Sequence, residues 1–284
     1  MEFITLNNGV QMPLLGYGVY QVTPDECERC VTDAINVGYR LIDTAQAYYN
    51  EEGLGNAIAK SSVPRDELFI TTKVWVSNSG EEKAVASIDE SLKKLQSDYI
   101  DLLLIHQPFG DYYGTYRAME KAYKAGKVRA IGVSNFFPDR FVDLAENVEI
   151  KPAVNQMETH VFNQQMNTRE VLTEYETTLE SWGPFAEGKN DFFTNEVLKH
   201  IGEQYNKSVA QVALRFLVQQ GIVAIPKSVR KERMAENLDV FDFVLSQDEI
   251  ELIKALDQKE SLFLSHTDPA SVKFILEYDK TMRP

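Results

Sequence analysis

DLLLIH, residues 101–106, places four consecutive apolar side chains between a carboxylate and an imidazole. A run of about six residues that is apolar on both faces suits a strand covered from both sides, which means a parallel sheet shielded by crossover helices. Seven further runs repeat the pattern: LLGYGVY from Leu14, RLIDTA from Arg40, FITTKV from Phe69, RAIGVSN from Arg129, AVNQME from Ala153, LESWG from Leu179 and VAIP from Val223. Between them lie segments of helical period such as EEKAVASIDESLKKLQ, and SVAQVALRFLVQQ, which puts Val209, Val212, Ala213 and Phe216 on one stripe. Eight strand–helix units in 284 residues, with no Pro/Gly/Ser linker between halves, predict an α/β protein built as a single (β/α)8 TIM barrel over residues 1–284. The alternative is an open doubly wound sheet with a small second domain.

At the N-terminus, FITLNNGVQMP reads as two short strands joined by Asn7-Asn8-Gly9, a β-hairpin capping one barrel end. The last helical unit, SQDEIELIKALD, has Ser246 three residues before Glu249, the spacing of a capping box. Beyond it, SLFLSHTDPASVKFILEYDKTMRP contains no strand and reads as a C-terminal surface tail with one short helix. TEYETTLESW lacks the glycine that commonly turns a helix into the next strand.

The composition, 44% hydrophobic and 25% charged, is that of a globular chain with a large core, and no apolar stretch is long enough for a membrane span. A net charge of −14 disfavours nucleic acid and acidic membranes, leaving a small molecule as the expected partner. Cys27 and Cys30 have C-x-x-C spacing, but they repeat with Val31, Ala34 and Ile35 at helical period, so the reading is a packed helix face. The expectation is a reduced, cytoplasmic protein, a monomer or else a weak homodimer, with no metal.

Several apolar runs end in polar side chains for which a core has no use: Asp43, Lys73, His106, Ser134 with Asn135, and Gln156. In a barrel these strand ends converge on the face that carries the active site. Each residue singly has a bland reading, such as helix capping for Asp43 or snorkelling for Lys73. A lysine and an aspartate on neighbouring strand ends, however, form a partly buried pair that needs a third partner. Tyr48, five residues beyond Asp43, is placed to be that partner, and residue chemistry alone does not separate it from Tyr49.

The blocks GYRLIDTAQAYYNEEGLG, FITTKVW, DLLLIHQP, GVSNF, NQMETH and IPKSVRKERMAEN are similar, in order and spacing, to those of the aldo-keto reductase family, across nearly the whole chain. The chain most resembles the bacterial 2,5-diketo-D-gluconate reductase type. The resemblance implies an oxidoreductase that reduces aldehydes or ketones with NADPH, with Asp43, Tyr48, Lys73 and His106 as the catalytic tetrad and Tyr48 as proton donor. On that reading the Lys73 ammonium lowers the phenol pKa, Asp43 holds Lys73, and His106 orients the carbonyl.

No G-x-G-x-x-G fingerprint is present. The segment Gly183-Pro184-Phe185-Ala186-Glu187-Gly188-Lys189-Asn190 nearly matches a phosphate-binding loop, but Asn190 replaces the hydroxyl and Pro184 removes a backbone donor. The resemblance implies instead that Gly183, Phe185 and Glu187 fold over the cofactor's pyrophosphate and that Trp182 stacks on the nicotinamide. Trp182 stands where many relatives have tyrosine, and Gly183 where serine is common. Ser134, Asn135 and Gln156 are implied to hold the carboxamide. Four of the seven residues 227–233 are basic: Lys227, Arg230, Lys231 and Arg233. Such a cluster at a helix start is unfavourable unless an anion sits there. By resemblance, Lys227, Ser228 and Arg233 meet the 2′-phosphate, Glu236 and Asn237 face the adenine, and Val229 is a further cofactor-binding residue.

Tyr20, Trp75 and Phe109 are the expected apolar substrate pocket, and a small polar aldehyde, ketoaldehyde or keto-sugar acid the expected substrate. Two competing functions are an NADPH-binding sensor subunit with little turnover and a metal-dependent barrel hydrolase. The intact tetrad opposes the first. The scatter of His106, His160, His200 and His266 opposes the second.

Overall fold

The computed structural model describes residues 1–282, with side chains through Tyr278. Strands β1 (Phe3–Thr5) and β2 (Gln11–Pro13) pair antiparallel about the Asn7-Asn8-Gly9 turn, where Gly9 takes φ +86°. The expected hairpin is thus present. Asn7 Nδ2 donates to the carbonyl of Pro152 and Asn8 Nδ2 to that of Arg129. Both acceptors belong to the entry of a barrel strand, so the hairpin covers the end away from the strand C-termini.

Eight parallel strands follow: β3 (Tyr17–Gly18), β4 (Leu41–Asp43), β5 (Phe69–Val74), β6 (Ile100–Ile105), β7 (Val128–Ser134), β8 (Val154–Glu158), β9 (Thr178–Trp182) and β10 (Val223–Ala224). Each pairs with the next in sequence. Closure comes from a parallel bridge between Leu15 and Ala224, with the Gly16 N–H donating to Ala224 O at 2.8 Å and the Gly18 N–H to Pro226 O at 3.1 Å. A closed sheet leaves no unpaired edge, and so the barrel is formed in place of the open sheet. Glycine at position 16 is required by proximity, since a Cβ there would lie 2.4 Å from Leu41.

All eight apolar runs became strands. Every residue of β5 and β6 is buried, as expected of strands with helices outside and a filled barrel inside. Each fully buried Leu or Ile in them contributes on the order of 2 kcal/mol. The helix Pro24–Val37 buries Cys27, Cys30, Val31, Ala34 and Ile35, and both cysteines are free thiols. Burial pushes the Cys27 thiol up, away from the reactive thiolate. The Ser246–Glu249 capping box is formed, and Ser208 with Gln211 makes a second. Where glycine was missing before β9, Glu176 itself adopts φ +54° and makes the turn.

The tail is largely exposed and carries a helix, Pro269–Met282, longer than the short one expected. It does not hang free, because Ile275 is 4% exposed and packs with Ala47, Trp75 and Phe109 over the C-terminal strand ends. Residues 283 and 284 lie outside the described residues. No described helix is long and apolar enough to cross a membrane.

Candidate active site

The strand C-termini surround a cavity of about 790 Å³. Its floor begins with an ion pair. Lys73, next to last in β5, has its side chain wholly buried, and its Nζ meets Asp43 Oδ1 at 2.5 Å and the Thr44 carbonyl at 2.9 Å. Two of the three ammonium donors are thus spent. Nζ also lies 5.1 Å from the centroid of the Tyr48 ring. Asp43 Oδ2 accepts from Gln156 Nε2 at 2.9 Å. Burial pushes the Asp43 carboxyl up, and Lys73 and Gln156 pull it back.

Tyr48 sits in a short 3-10 turn, Gln46–Tyr48, between β4 and the helix Glu51–Lys60. Both ends of this turn are tied. Gln46 Oε1 accepts from the Trp75 N–H at 3.0 Å and from Asn78 Nδ2 at 2.9 Å. Asn50 is fully buried, donates to the carbonyls of Val19 and Val22 and accepts from Thr44 Oγ1 at 2.7 Å. The tyrosine ring packs edge-on to His106 with centroids 5.5 Å apart, and Tyr20 covers it at 5.1 Å. Tyr49 is absent from the cavity wall, while Tyr48 lines it.

The expected lowering of the Tyr48 pKa is not what the site shows. Burial, then the Asp43 charge, hold the phenol well above its ordinary value. The Lys73 charge is engaged by Asp43, so in the resting site the phenol is a firmly neutral group. Burial, with the Lys73 charge second, likewise keeps His106 well below its usual range, hence a neutral imidazole. Its Nδ1 is sequestered without a partner among the described residues, which leaves Nε2 as the ring nitrogen toward the cavity.

Ser134, Asn135, Gln156 and Trp182 lie together on one wall. Ser134 Oγ donates to the Gln156 carbonyl at 2.9 Å, and Asn135 Oδ1 accepts from Trp182 Nε1 at 2.9 Å. Gly183, Phe185 and Glu187 rim the mouth in a loop where Gly183, Ala186, Glu187 and Gly188 all have positive φ. Glu187 accepts from Gln21 Nε2 across the opening at 3.4 Å. No α-helix follows Lys189 directly, and its Nζ donates to Leu262 O, so the phosphate-loop reading has no support.

Lys227 also lines the cavity, but Ser228, Val229, Arg233, Glu236 and Asn237 do not; they lie beyond it, around the helix Lys231–Leu238. Among the described residues none of Lys227, Arg230, Lys231 and Arg233 is paired with a carboxylate. Tyr20 and Trp75 line the cavity as expected. Phe109 lies behind the wall, 6% exposed, with its ring stacked 6.1 Å from His266. No cluster of three or more His, Cys, Asp or Glu among the described residues is placed to hold a metal ion.

Two sets of residues escaped the reading of the sequence. Glu180, in the middle of β9, is wholly buried and accepts from Gln156 Nε2 at 2.9 Å. Burial and the Asp43 charge push its carboxyl up to about 8. Its signal was a charged residue inside an apolar run. The second set is the tail: Phe263, Leu264, His266, Phe274, Ile275 and Tyr278 form the outer wall of the cavity. Their signal was two apolar clusters in the tail, Leu262-Phe263-Leu264 and Phe274-Ile275-Leu276.

One mouth of this closed parallel barrel thus gathers a buried Lys–Asp pair, a tyrosine and a neutral histidine, and similarity to known proteins gives the chain a family. The aldo/keto reductase family model matches residues 14–258. The glyoxal reductase of Bacillus subtilis is 49% identical over 261 residues, 91% of this chain and 94% of that protein. The methylglyoxal reductase DkgA of Escherichia coli K12 is 41% identical over 91% of this chain and 94% of its own length. An aldo-keto reductase of Bombyx mori, solved in complex with NADP, superposes with a TM-score of 0.87 at 34% identity, covering 96% of both chains. The chain belongs to the aldo/keto reductase family and is an oxidoreductase.

Proposed function

We propose that this protein reduces small aldehydes, above all neutral α-oxo-aldehydes, to alcohols with NADPH, with Tyr48 as proton donor. The observation that carries the reading is the convergence of Tyr48, His106 and Trp182 on one cavity above the buried Lys73–Asp43 pair. NADPH, when bound, supplies the hydride. The residues fit it. Gln156 commits its Nε2 to two carboxyls, so its Oε1 is the amide atom left for a carboxamide N–H. Ser134 and Asn135 brace that wall, and Trp182 offers a ring face. Gly183, Phe185 and Glu187, at the rim of the mouth, would hold the pyrophosphate. The unpaired cations around Lys227 and Arg233, with Ser228 and Val229, suit a 2′-phosphate, whose charge would also relieve their repulsion at a helix start. Glu236 and Asn237 then border the adenine.

His106 Nε2 orients the carbonyl oxygen, and the neutral Tyr48 hydroxyl gives it a proton as negative charge develops there. The phenolate that forms lies beside the Lys73 ammonium, whose third N–H is uncommitted. The pair therefore acts on the product of proton transfer, and the resting phenol stays neutral. Among the described residues, Tyr20, Trp75, Phe274, Ile275 and Tyr278 form the wall around Tyr48, and none of these is a cation. Of the two lysines that line the cavity among the described residues, Lys189 is held over Phe263 and Lys227 lies on the side proposed for the cofactor. An uncharged aldehyde is favoured over a keto-sugar acid, whose carboxylate would lose its water without a partner. Relatives named for glyoxal and methylglyoxal point the same way.

The test follows NADPH absorbance with glyoxal or methylglyoxal. Tyr48→Phe should lower kcat by about 10²–10⁴-fold while leaving NADPH quenching of tryptophan fluorescence intact. Wild-type protein no faster than this variant would overturn the reading.

A further inference from the structure

Inside the barrel the tetrad is joined to a further carboxyl. Glu180 on β9 faces Gln156 on β8 and Val223 on β10 in register. Its Oε2 and Asp43 Oδ2 each accept from Gln156 Nε2 at 2.9 Å, and Asp43 Oδ1 meets Lys73 at 2.5 Å. Glu180, Gln156, Asp43 and Lys73 thus form one buried hydrogen-bonded chain beneath Tyr48. Glu180 Oε1 has no partner among the described residues. Val223 is apolar and Gln156 uncharged, so the charged or titratable groups around Glu180 are Asp43, Lys73 and Tyr48.

Two carboxyls share this dry space with one ammonium. Both cannot be ionised cheaply, because the second charge would be buried with no counter-charge in contact. Asp43 touches Lys73 directly and keeps its charge. Glu180 has no cation in contact and holds the proton.

We infer that Glu180 is a positioning residue that works as a neutral acid: protonated, it braces Gln156 and leaves Asp43 the sole anion facing Lys73. When Glu180 releases its proton to solvent, a second negative charge enters the chain and binds the phenol proton of Tyr48 more tightly. Reduction then slows without loss of any catalytic residue. The burial-raised carboxyl places this transition near neutral pH and above, where an ordinary glutamate has long been ionised. The inference rests on Tyr48 being the donor.

The experiment compares the pH profile of kcat for wild type and Glu180→Gln, whose amide oxygen still accepts from Gln156 but cannot ionise. At about pH 6 the two should agree within roughly twofold; at about pH 9 the variant should be faster by roughly three- to tenfold, because the second buried negative charge near the phenol is then absent. Parallel loss at every pH, or a basic limb coincident with that of wild type, would overturn the inference. Difference infrared titration gives a readout free of turnover: wild type should lose a protonated-carboxylic-acid band as pH rises through this range, and Glu180→Gln or Glu180→Leu should lack it. A wild type without that band also overturns it. Should the protein reduce no aldehyde at any pH, the reductase reading falls, and the infrared titration still decides the state of Glu180.

Discussion

At position 180 a carboxyl sits among strands where only Gln156 reaches it, and this has a consequence for stability as well as for rate. Its pKa is higher in the folded protein than in the unfolded chain, so the folded state binds the extra proton. Stability from this group is fully present below the unfolded carboxylate value and falls as pH rises toward about 8. Glu180→Gln should therefore gain Tm relative to wild type as pH is raised across that window, with little difference at its acid end; melting curves at several pH values check this. That Asp43, Tyr48, Lys73 and His106 meet at one mouth was legible in the sequence, since Asp43, Lys73 and His106 stand at the ends of apolar runs and Tyr48 in a family motif. Glu180 was not, because attention to strand ends passes over an acid in mid-strand. Chain order likewise brings Lys73 near Tyr48 but does not show that Asp43 and Thr44 occupy its ammonium, so that burial decides the direction of the phenol's shift.

Among the elements, the tail has the least regular sequence and a definite place. Glu158 at the end of β8 accepts the Leu262 N–H at 2.8 Å and the Ser261 hydroxyl, and Lys189 donates to the Leu262 carbonyl at 2.6 Å. These bonds turn the chain so that the helix Pro269–Met282 lies over Trp75, with Tyr278 edge-on to its ring at 5.6 Å. The segment lies beyond the residues that match the family model. A chain ending after Glu260 should still bind NADPH but show a KM for aldehydes raised about tenfold or more, the worth of one lost aromatic contact of ~1.4 kcal/mol. Steady-state kinetics with a fluorescence titration separates the two effects. An unchanged KM would mean that this wall does not touch substrate. Periodicity located the helix in outline but said nothing of its seat, which depends on Glu158, 103 residues before Ser261.

Over the whole molecule, the closed barrel and the loops at its mouth form one binding surface, so a ligand that bridges them stabilises everything it joins. NADPH at about 100 times its Kd should add ~2.7 kcal/mol and raise Tm by roughly 5 °C. NADH should give a smaller shift, and Arg233→Ala should narrow the gap between the two cofactors; equal shifts in wild type would remove the 2′-phosphate role given to this cluster. By itself the sequence determined the eight parallel strands, the hairpin, the helix caps and the residue types at the barrel mouth, because apolar period, capping and motif spacing are properties of neighbouring residues. Only the tertiary structure decided how those groups are charged, which wall the tail builds, and that Asp43 and Gln156, 113 residues apart, share a hydrogen bond with Glu180 next in line. The reason is physical: burial and Coulomb fields are sums over neighbours in space, and chain order does not supply those neighbours.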